Sequence, residues 1–73
     1  MNVKDSLLAA AEGLPYALNV TDCDLRNDRR FDGKGVVVPA QKAGEYGIDS
    51  GEELEARDHE GKPTNVLFLR LAK

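Results

Sequence analysis

The first side chains with chemistry to consider are three closely spaced aspartates, Asp22, Asp24 and Asp28. Carboxylates in a short loop are the ligands that calcium prefers, so this segment raises the question of a cation site. A calcium loop that begins at Asp22 also needs glycine at its sixth position and glutamate at its twelfth. Asn27 and Gly33 occupy those positions instead. The sequence therefore predicts no metal ion in this loop.

Cys23 and His59 are the single cysteine and the single histidine of the chain. A zinc site needs four protein ligands, or three with an open position, so this pair is too small for one. Nucleophilic catalysis needs a nucleophile, a base that takes its proton and a third group that orients the base. Ser6 and Ser50 lie in separate segments from His59, and no such set is evident. We therefore predict a protein that is not an enzyme and uses no cofactor.

Arg26, Arg29 and Arg30 are the strongest candidates for binding a partner. Guanidinium groups make bidentate contacts to phosphate or carboxylate and are enriched at protein interfaces. Four aspartates interleave with them: Asp22, Asp24, Asp28 and Asp32. Two interpretations stay open, because the arginines could form a contact surface or could be held in weak surface ion pairs of their own.

The overall charge disfavours nucleic acid as the partner. Ten basic residues stand against thirteen acidic ones, for a net charge of −3, whereas affinity for phosphates calls for a basic surface. Six acids fall in one stretch that has only Arg57 to balance them: Asp49, Glu52, Glu53, Glu55, Asp58 and Glu60. This stretch is either a solvated strand face or a surface that attracts a basic partner.

The length of 73 residues predicts a single domain with one small core. A lone cysteine cannot form an internal disulfide, which fits the cytoplasm. The apolar run near the amino terminus spans only five residues, too short for a secretory signal or a membrane span. We expect a cytoplasmic chain with no membrane contact.

Two kinds of element must position these side chains. The sequence of residues 1–13 predicts a short helix or a frayed tail. Leu7 and Leu8 either pack on the rest of the domain or become ordered only when a partner binds. Residues 14–73 predict a β-rich body. Apolar residues at alternate positions of residues 14–20 favour a strand, and the glycines of residues 32–35 favour a hairpin turn before Val36.

Three further elements follow in the second half of the chain. Residues 40–46 predict one or two helical turns that Gly47 closes, with Ile48 buried after them. Residues 53–57 alternate charged and apolar side chains and predict a strand, and residues 65–71 form the most apolar run, typical of a central strand. The expected fold is α+β and mainly β, with four or five short antiparallel strands and one or two short helices.

A family pattern is visible across roughly residues 26–70. The sequence from Asp32 to Pro39 (DGKGVVVP), followed by residues 47–52 (GIDSGE) and Leu54, resembles the swapped-hairpin transcription factors of the AbrB and MazE antitoxin type. The resemblance implies an intertwined homodimer whose arginine-bearing loops face DNA. Arg26, Arg29 and Arg30 lie where such contacts begin.

The whole chain, through its length and its opening MNVKDSLLAAAEGLPYALNV, also resembles short bacteriophage-encoded regulators that bind the host bacterial RNA polymerase and inhibit transcription initiation. This resemblance implies a stoichiometric, protein-binding regulator in the host cytoplasm, as a monomer or a homodimer. Because it also accounts for the acidic charge, it is our first prediction, and a dimeric DNA-binding repressor or antitoxin is the second. The predicted contact residues are Leu7, Leu8, Arg26, Arg29 and Arg30.

Overall fold

The computed structural model of the chain describes residues 3–71 and has one four-stranded sheet with helices packed against it. Its elements are α1 (Val3–Glu12), β1 (Leu18–Asn19), a 3₁₀ turn (Arg29–Phe31), β2 (Gly35–Pro39), a 3₁₀ helix (Ala40–Tyr46), β3 (Glu52–Arg57) and β4 (Pro63–Arg70). The predicted α+β class is confirmed. Helix and strand take nearly equal shares of the described residues, 29% and 30%, a more even balance than "mainly β".

The strand order is β1-β2-β4-β3, and the apolar β4 is central as predicted. β4 pairs antiparallel with β2 on one side and with β3 on the other. The expectation of antiparallel pairing is wrong for β1, which runs parallel to β2. β1 is also shorter than the strand predicted over residues 14–20, because residues 14–16 bend away from the end of α1, where the Leu14 N–H donates to the Ala11 carbonyl at 3.1 Å. The chain bends again after Asn19. Its side-chain oxygen accepts from the Thr21 amide at 2.9 Å, and its Nδ2 donates to the Cys23 carbonyl at 2.6 Å.

The hairpin predicted at residues 32–35 is absent from the described chain. The preceding segment is a 3₁₀ turn instead, because the Asp28 carboxylate accepts from the Arg30 amide at 3.0 Å and caps it. The observed hairpin joins β3 to β4. Asp58 closes it by accepting from the backbone N–H groups of Glu60 and Lys62, both at 2.9 Å.

Side chains alternate between the two faces of the sheet, and each face carries its own buried cluster. Val36 and Val38 of β2 point to the face that α1 and the 3₁₀ helix cover, together with Ala11, Ala43 and Ile48. Val37 points to the opposite face, where the buried residues are Cys23, Leu25, Phe31, Ala56, Val66 and Phe68. No helix covers this second face among residues 3–71. The irregular segment between β1 and β2 covers it instead.

Helix α1 is docked on the body. Ala11 is fully buried, and Leu7 and Leu8 are half-buried against the cluster around Val36 and Val38. The Lys34 ammonium also donates to the Glu12 carbonyl at 3.1 Å, at the end of the helix. Of the two outcomes left open by the sequence, packing on the body is the one observed. Tertiary contacts stabilise a helix of ten residues that would be marginal alone.

The remaining sequence predictions of structure agree with the observed elements. The turns over Ala40–Tyr46 end at Gly47, which adopts a left-handed φ of 73°, and Ile48 is buried after it. β3 forms one edge of the sheet, and its glutamates are exposed there, which is how charged side chains keep an edge strand from pairing with other chains. None of the helices within residues 3–71 is both long and apolar enough to cross a membrane.

Candidate protein-binding surface

The segment that carries the three arginines, residues 24–32, is called the arginine segment here. It contains two successive units of the form Asp-x-Arg. In the first unit, the Asp24 carboxylate accepts from Arg26 Nε at 3.1 Å and from Arg26 Nη2 at 3.2 Å. In the second, the Asp28 carboxylate accepts from Arg30 Nε at 3.0 Å and from Arg30 Nη2 at 2.7 Å. Each carboxylate also accepts from the backbone N–H of the same arginine. Both guanidinium groups are therefore held in two-point contact with an aspartate two residues earlier.

These pairs change the electrostatics of the segment. Hydrogen bonds from the Arg26 side chain lower the pKa of Asp24, and those from the Arg30 side chain lower the pKa of Asp28. The charged forms of both aspartates are thereby favoured, and each neutralises its arginine. The ion-pair interpretation of the sequence thus applies to Arg26 and Arg30, which carry little unbalanced positive charge.

Arg29 and Asp32 differ from the paired residues. Both are exposed, and neither side chain has a hydrogen-bond or ion-pair partner within residues 3–71. Arg30 is further restrained, since its guanidinium lies 5.4 Å from the centre of the Phe31 ring. Arg29 is thus the arginine of the three whose charge is available to a partner.

An open groove of about 700 Å³ lies beside the arginine segment. Residues 14–19 line one side and members of the 25–33 segment line the other. Leu25, Phe31 and Val37, all buried, form its apolar base. Tyr16, one of the alternating apolar residues of the strand predicted over residues 14–20, stands at the rim with 61% of its surface exposed. The groove therefore offers an apolar base with an aromatic side chain at its edge.

A second depression of about 330 Å³ lies between the arginine segment and the hairpin. Its lining is largely charged and includes Asp24, Asp28, Arg30, Glu55 and Arg57. The arginine segment thus separates an apolar groove from a polar depression. Arg26 lines the groove, whereas Arg30 lines the depression.

The predicted contact residues do not form one patch. Leu7 and Leu8 pack on the sheet face that α1 covers, whereas the arginine segment lies over the opposite face. In the free protein these leucines contribute to the core, and their role in binding stays a prediction. The groove and the place of Tyr16 in its lining were not predicted from the sequence. The only sequence signal was an aromatic residue directly after Pro15, a position at which a strand is easily interrupted.

The remaining chemical candidates do not converge on a site. Cys23 belongs to the segment between β1 and β2, and its side chain is buried in the cluster beneath that segment. His59 Nδ1 lies 2.9 Å from Asp22 Oδ2 on the surface, which joins the β3–β4 turn to that segment. No group of three histidine, cysteine or acidic side chains that could hold a metal ion occurs in the described part of the chain.

The lowered pKa of Asp28 predicts that its pair with Arg30 stabilises the fold less at low pH. A carboxyl whose pKa is lower in the folded state stabilises that state above its unfolded pKa, about 3.9, and loses the effect as pH falls through the folded pKa. We expect Asp28→Asn, which keeps the capping oxygen but removes the charge, to weaken the fall in unfolding free energy below about pH 4. Urea denaturation at pH 7 and pH 3 measures this. If the free energy of unfolding falls by the same amount from pH 7 to pH 3 in Asp28→Asn as in the wild type, the ion pair with Arg30 is contradicted.

Comparison with known proteins finds no matching protein-family model, no similar curated protein and no similar solved structure.

Proposed function

We propose that this chain is a non-enzymatic regulator of transcription that binds bacterial RNA polymerase stoichiometrically and inhibits initiation in the bacterial cytoplasm. Its opening sequence and length resemble bacteriophage-encoded regulators that act in this way. The observation that carries the proposal is the surface around the arginine segment. The arginine segment lines an open groove that has Tyr16 at its rim, and Arg29 of the same segment, outside the groove lining, is exposed and unpaired within residues 3–71. Exposed aromatic and arginine side chains of this kind are typical anchors of protein interfaces.

Charge favours a protein over DNA as the partner. The AbrB-like resemblance implies that Arg26, Arg29 and Arg30 face phosphates. Arg26 and Arg30 are each already bound to an aspartate, and the chain carries a net charge of −3. Neutralised guanidinium groups release few counterions from DNA, so they contribute little to affinity for phosphate. A protein partner can still bind this surface, because the two aspartate–arginine pairs hold the shape of the loop and do not require an oppositely charged group on the partner.

A transcription assay tests the mode of action. We expect run-off transcription by bacterial RNA polymerase holoenzyme to fall linearly as the protein is added and to reach its minimum near one molecule per polymerase. Adding the protein after initiation, to stalled elongation complexes, should leave the rate of elongation unchanged. Complete inhibition at a small fraction of the polymerase concentration would indicate turnover and would contradict a stoichiometric regulator.

Arg29 supplies the most specific test of the contact surface. We expect Arg29→Glu to weaken polymerase binding by about tenfold or more, as loss of an interface arginine commonly costs 1–2 kcal/mol or more. Lys42→Glu is the matched control, because Lys42 is an exposed cation on the 3₁₀ helix of the other sheet face. It changes the net charge equally and should leave affinity within about twofold. Equal weakening by both variants would mean that general charge, and not this surface, determines binding.

A further inference from the structure

The outer side of β3 is a free strand edge. The strand order places β3 at one end of the sheet, and within residues 3–71 it pairs with β4 alone. The Asp58 N–H donates to the Lys62 carbonyl at 3.0 Å, so these two residues form a hydrogen-bonded pair at the turn end of the ladder. Such pairs alternate along an antiparallel ladder, so the N–H and C=O groups of Glu53, Glu55 and Arg57 point away from β4. These groups form a template on which another extended chain can pair.

The side chains of this edge define the charge that a paired strand must carry. Leu54 and Ala56 pack in the buried cluster on one face of the sheet, so Glu53 and Glu55 lie toward the other face. There they line an open depression of about 470 Å³, and none of the described residues that line it is a cation. Glu53 accepts from Asn65 Nδ2 at 3.0 Å, a neutral amide that leaves its charge unbalanced. A strand paired here would hold its side chains about 5 Å from these carboxylates.

The neighbouring cations do not neutralise this edge. Three glutamates stand against one arginine on β3 itself, and that arginine, Arg57, donates to a carbonyl of the β3–β4 turn at 2.9 Å. Arg30 lies beside β3 on the other face, but it is held by Asp28 at 2.7 Å. Lys62 lies 3.4 Å from a glutamate of the same turn, and Lys42 of the 3₁₀ helix is not among the residues that line the depression. The free edge of β3 therefore keeps a net negative charge.

A second copy of this chain fits the edge poorly. Two antiparallel registers satisfy the outward backbone groups and pair five residues of β3 with those of another copy. One register sets Glu53 against Glu55. The other sets Glu55 against its own counterpart and Glu52 against Asp58, and it gains only the contact between Glu53 and Arg57. Because like charges directly opposite each other are destabilising, both registers are disfavoured, and a shift toward the turn leaves only three residues paired.

We infer that the free edge of β3 binds an extended segment of a partner protein that carries lysine or arginine at two alternate positions, opposite Glu53 and Glu55. The residue between them lies opposite the half-buried Leu54 and is apolar. The segment extends the sheet by one strand, and its backbone bonds to the outward groups of β3. The glutamates that oppose a like strand are the side chains that select a basic one. The inference goes beyond the proposed function, because this surface is not the arginine segment and does not depend on polymerase as the partner.

Three seven-residue peptides, added to the ¹⁵N-labelled full chain, test the inference. The first has a central valine between two lysines and threonine elsewhere, the second has glutamates in place of the lysines, and the third is the lysine peptide with both lysine backbone nitrogens methylated. We expect the first to bind about tenfold more tightly than the second, because two cross-strand charge pairs change sign. It should also slow hydrogen exchange at the amides of Glu53 and Glu55, and the methylated peptide should not. Equal binding by the glutamate peptide, or unchanged exchange at these amides, would overturn the inference.

A pair of variants tests the charge at the edge with the lysine peptide as probe. Glu55→Gln should weaken its binding by about threefold, the effect of losing one cross-strand charge pair. Glu45→Gln is the matched control, since Glu45 is an exposed glutamate on the 3₁₀ helix and does not line the depression. Equal weakening by both variants would overturn the inference, because general charge would then account for binding. Slower exchange at the Glu53 and Glu55 amides as the protein concentration rises without peptide would indicate a second copy at this edge and would also overturn it.

Discussion

Phe68→Ala should lower the free energy of unfolding by about 3–5 kcal/mol, the usual cost of truncating a buried phenylalanine. Phe68 is 1% exposed on the central strand β4, and its ring lies 5.4 Å from that of Phe31 at an angle of 52°. The Arg70 guanidinium covers the same ring at 4.7 Å from its centre. A chain of this length has a total stability of about 4–11 kcal/mol. The variant should therefore be largely unfolded at modest concentrations of urea.

Tyr16→Ala is the matched control for Phe68→Ala, since it removes an aromatic ring that is mostly exposed. We expect its unfolding free energy to stay within about 0.5 kcal/mol of wild type, as for surface substitutions in general. Urea denaturation followed by circular dichroism measures both variants. Equal loss of stability in the two would mean that residues 14–19 belong to the core, and the open groove would then be wrong.

Gly35→Ala should destabilise the protein by about 1–3 kcal/mol, the range for overpacking a tight core. A Cβ at position 35 would lie 2.5 Å from the Leu69 carbonyl oxygen and 2.5 Å from Phe68 Cε1. The Leu69 oxygen belongs to the backbone of β4 and cannot rotate away. Position 35 is also where β2 begins its pairing, opposite Arg70. The methyl group must therefore separate the two central strands or displace the Phe68 ring.

Gly44→Ala is the control for this prediction. No atom lies within 4 Å of a Cβ at that position, and Gly44 sits inside the 3₁₀ helix. Alanine there lowers the conformational entropy of the unfolded chain and causes no clash in the folded one. We therefore expect the free energy of unfolding to rise by about 0.4–1 kcal/mol. Thermal melts of the two variants should move in opposite directions. A Gly35→Ala protein as stable as wild type would contradict the close approach of β2 to β4.

The parts of the fold that could be predicted are those with strong local patterns. The charged and apolar alternation of β3 and the apolar run of β4 predicted both strands, and Gly47 correctly marked the end of the 3₁₀ helix. Each pattern reflects a property of a short stretch: which side chains can be buried, or which residue accepts a positive φ. Such properties do not depend on what packs against the element.

The parts that could not be predicted depend on contacts between distant residues. The glycines of residues 32–35 suggested a hairpin, but the Asp28 carboxylate capped a 3₁₀ turn before them, and Gly35 serves a close approach to β4 instead. β1 pairs parallel to β2 over two residues, a contact that no local pattern encodes. The groove forms only where that short strand meets the arginine segment. For the same reason, Arg29 could not be separated in advance from its two paired neighbours.

The most direct test of the account is a fluorescence titration of the labelled full chain against bacterial RNA polymerase core and, in parallel, against a mixed-sequence DNA duplex at two salt concentrations. We expect saturable binding to polymerase at one molecule per enzyme, together with no comparable binding to DNA at either salt concentration. Binding to DNA alone, weakening steeply as salt rises, would contradict the account. It would instead favour the swapped-hairpin repressors, with Arg29 as the first residue to mutate.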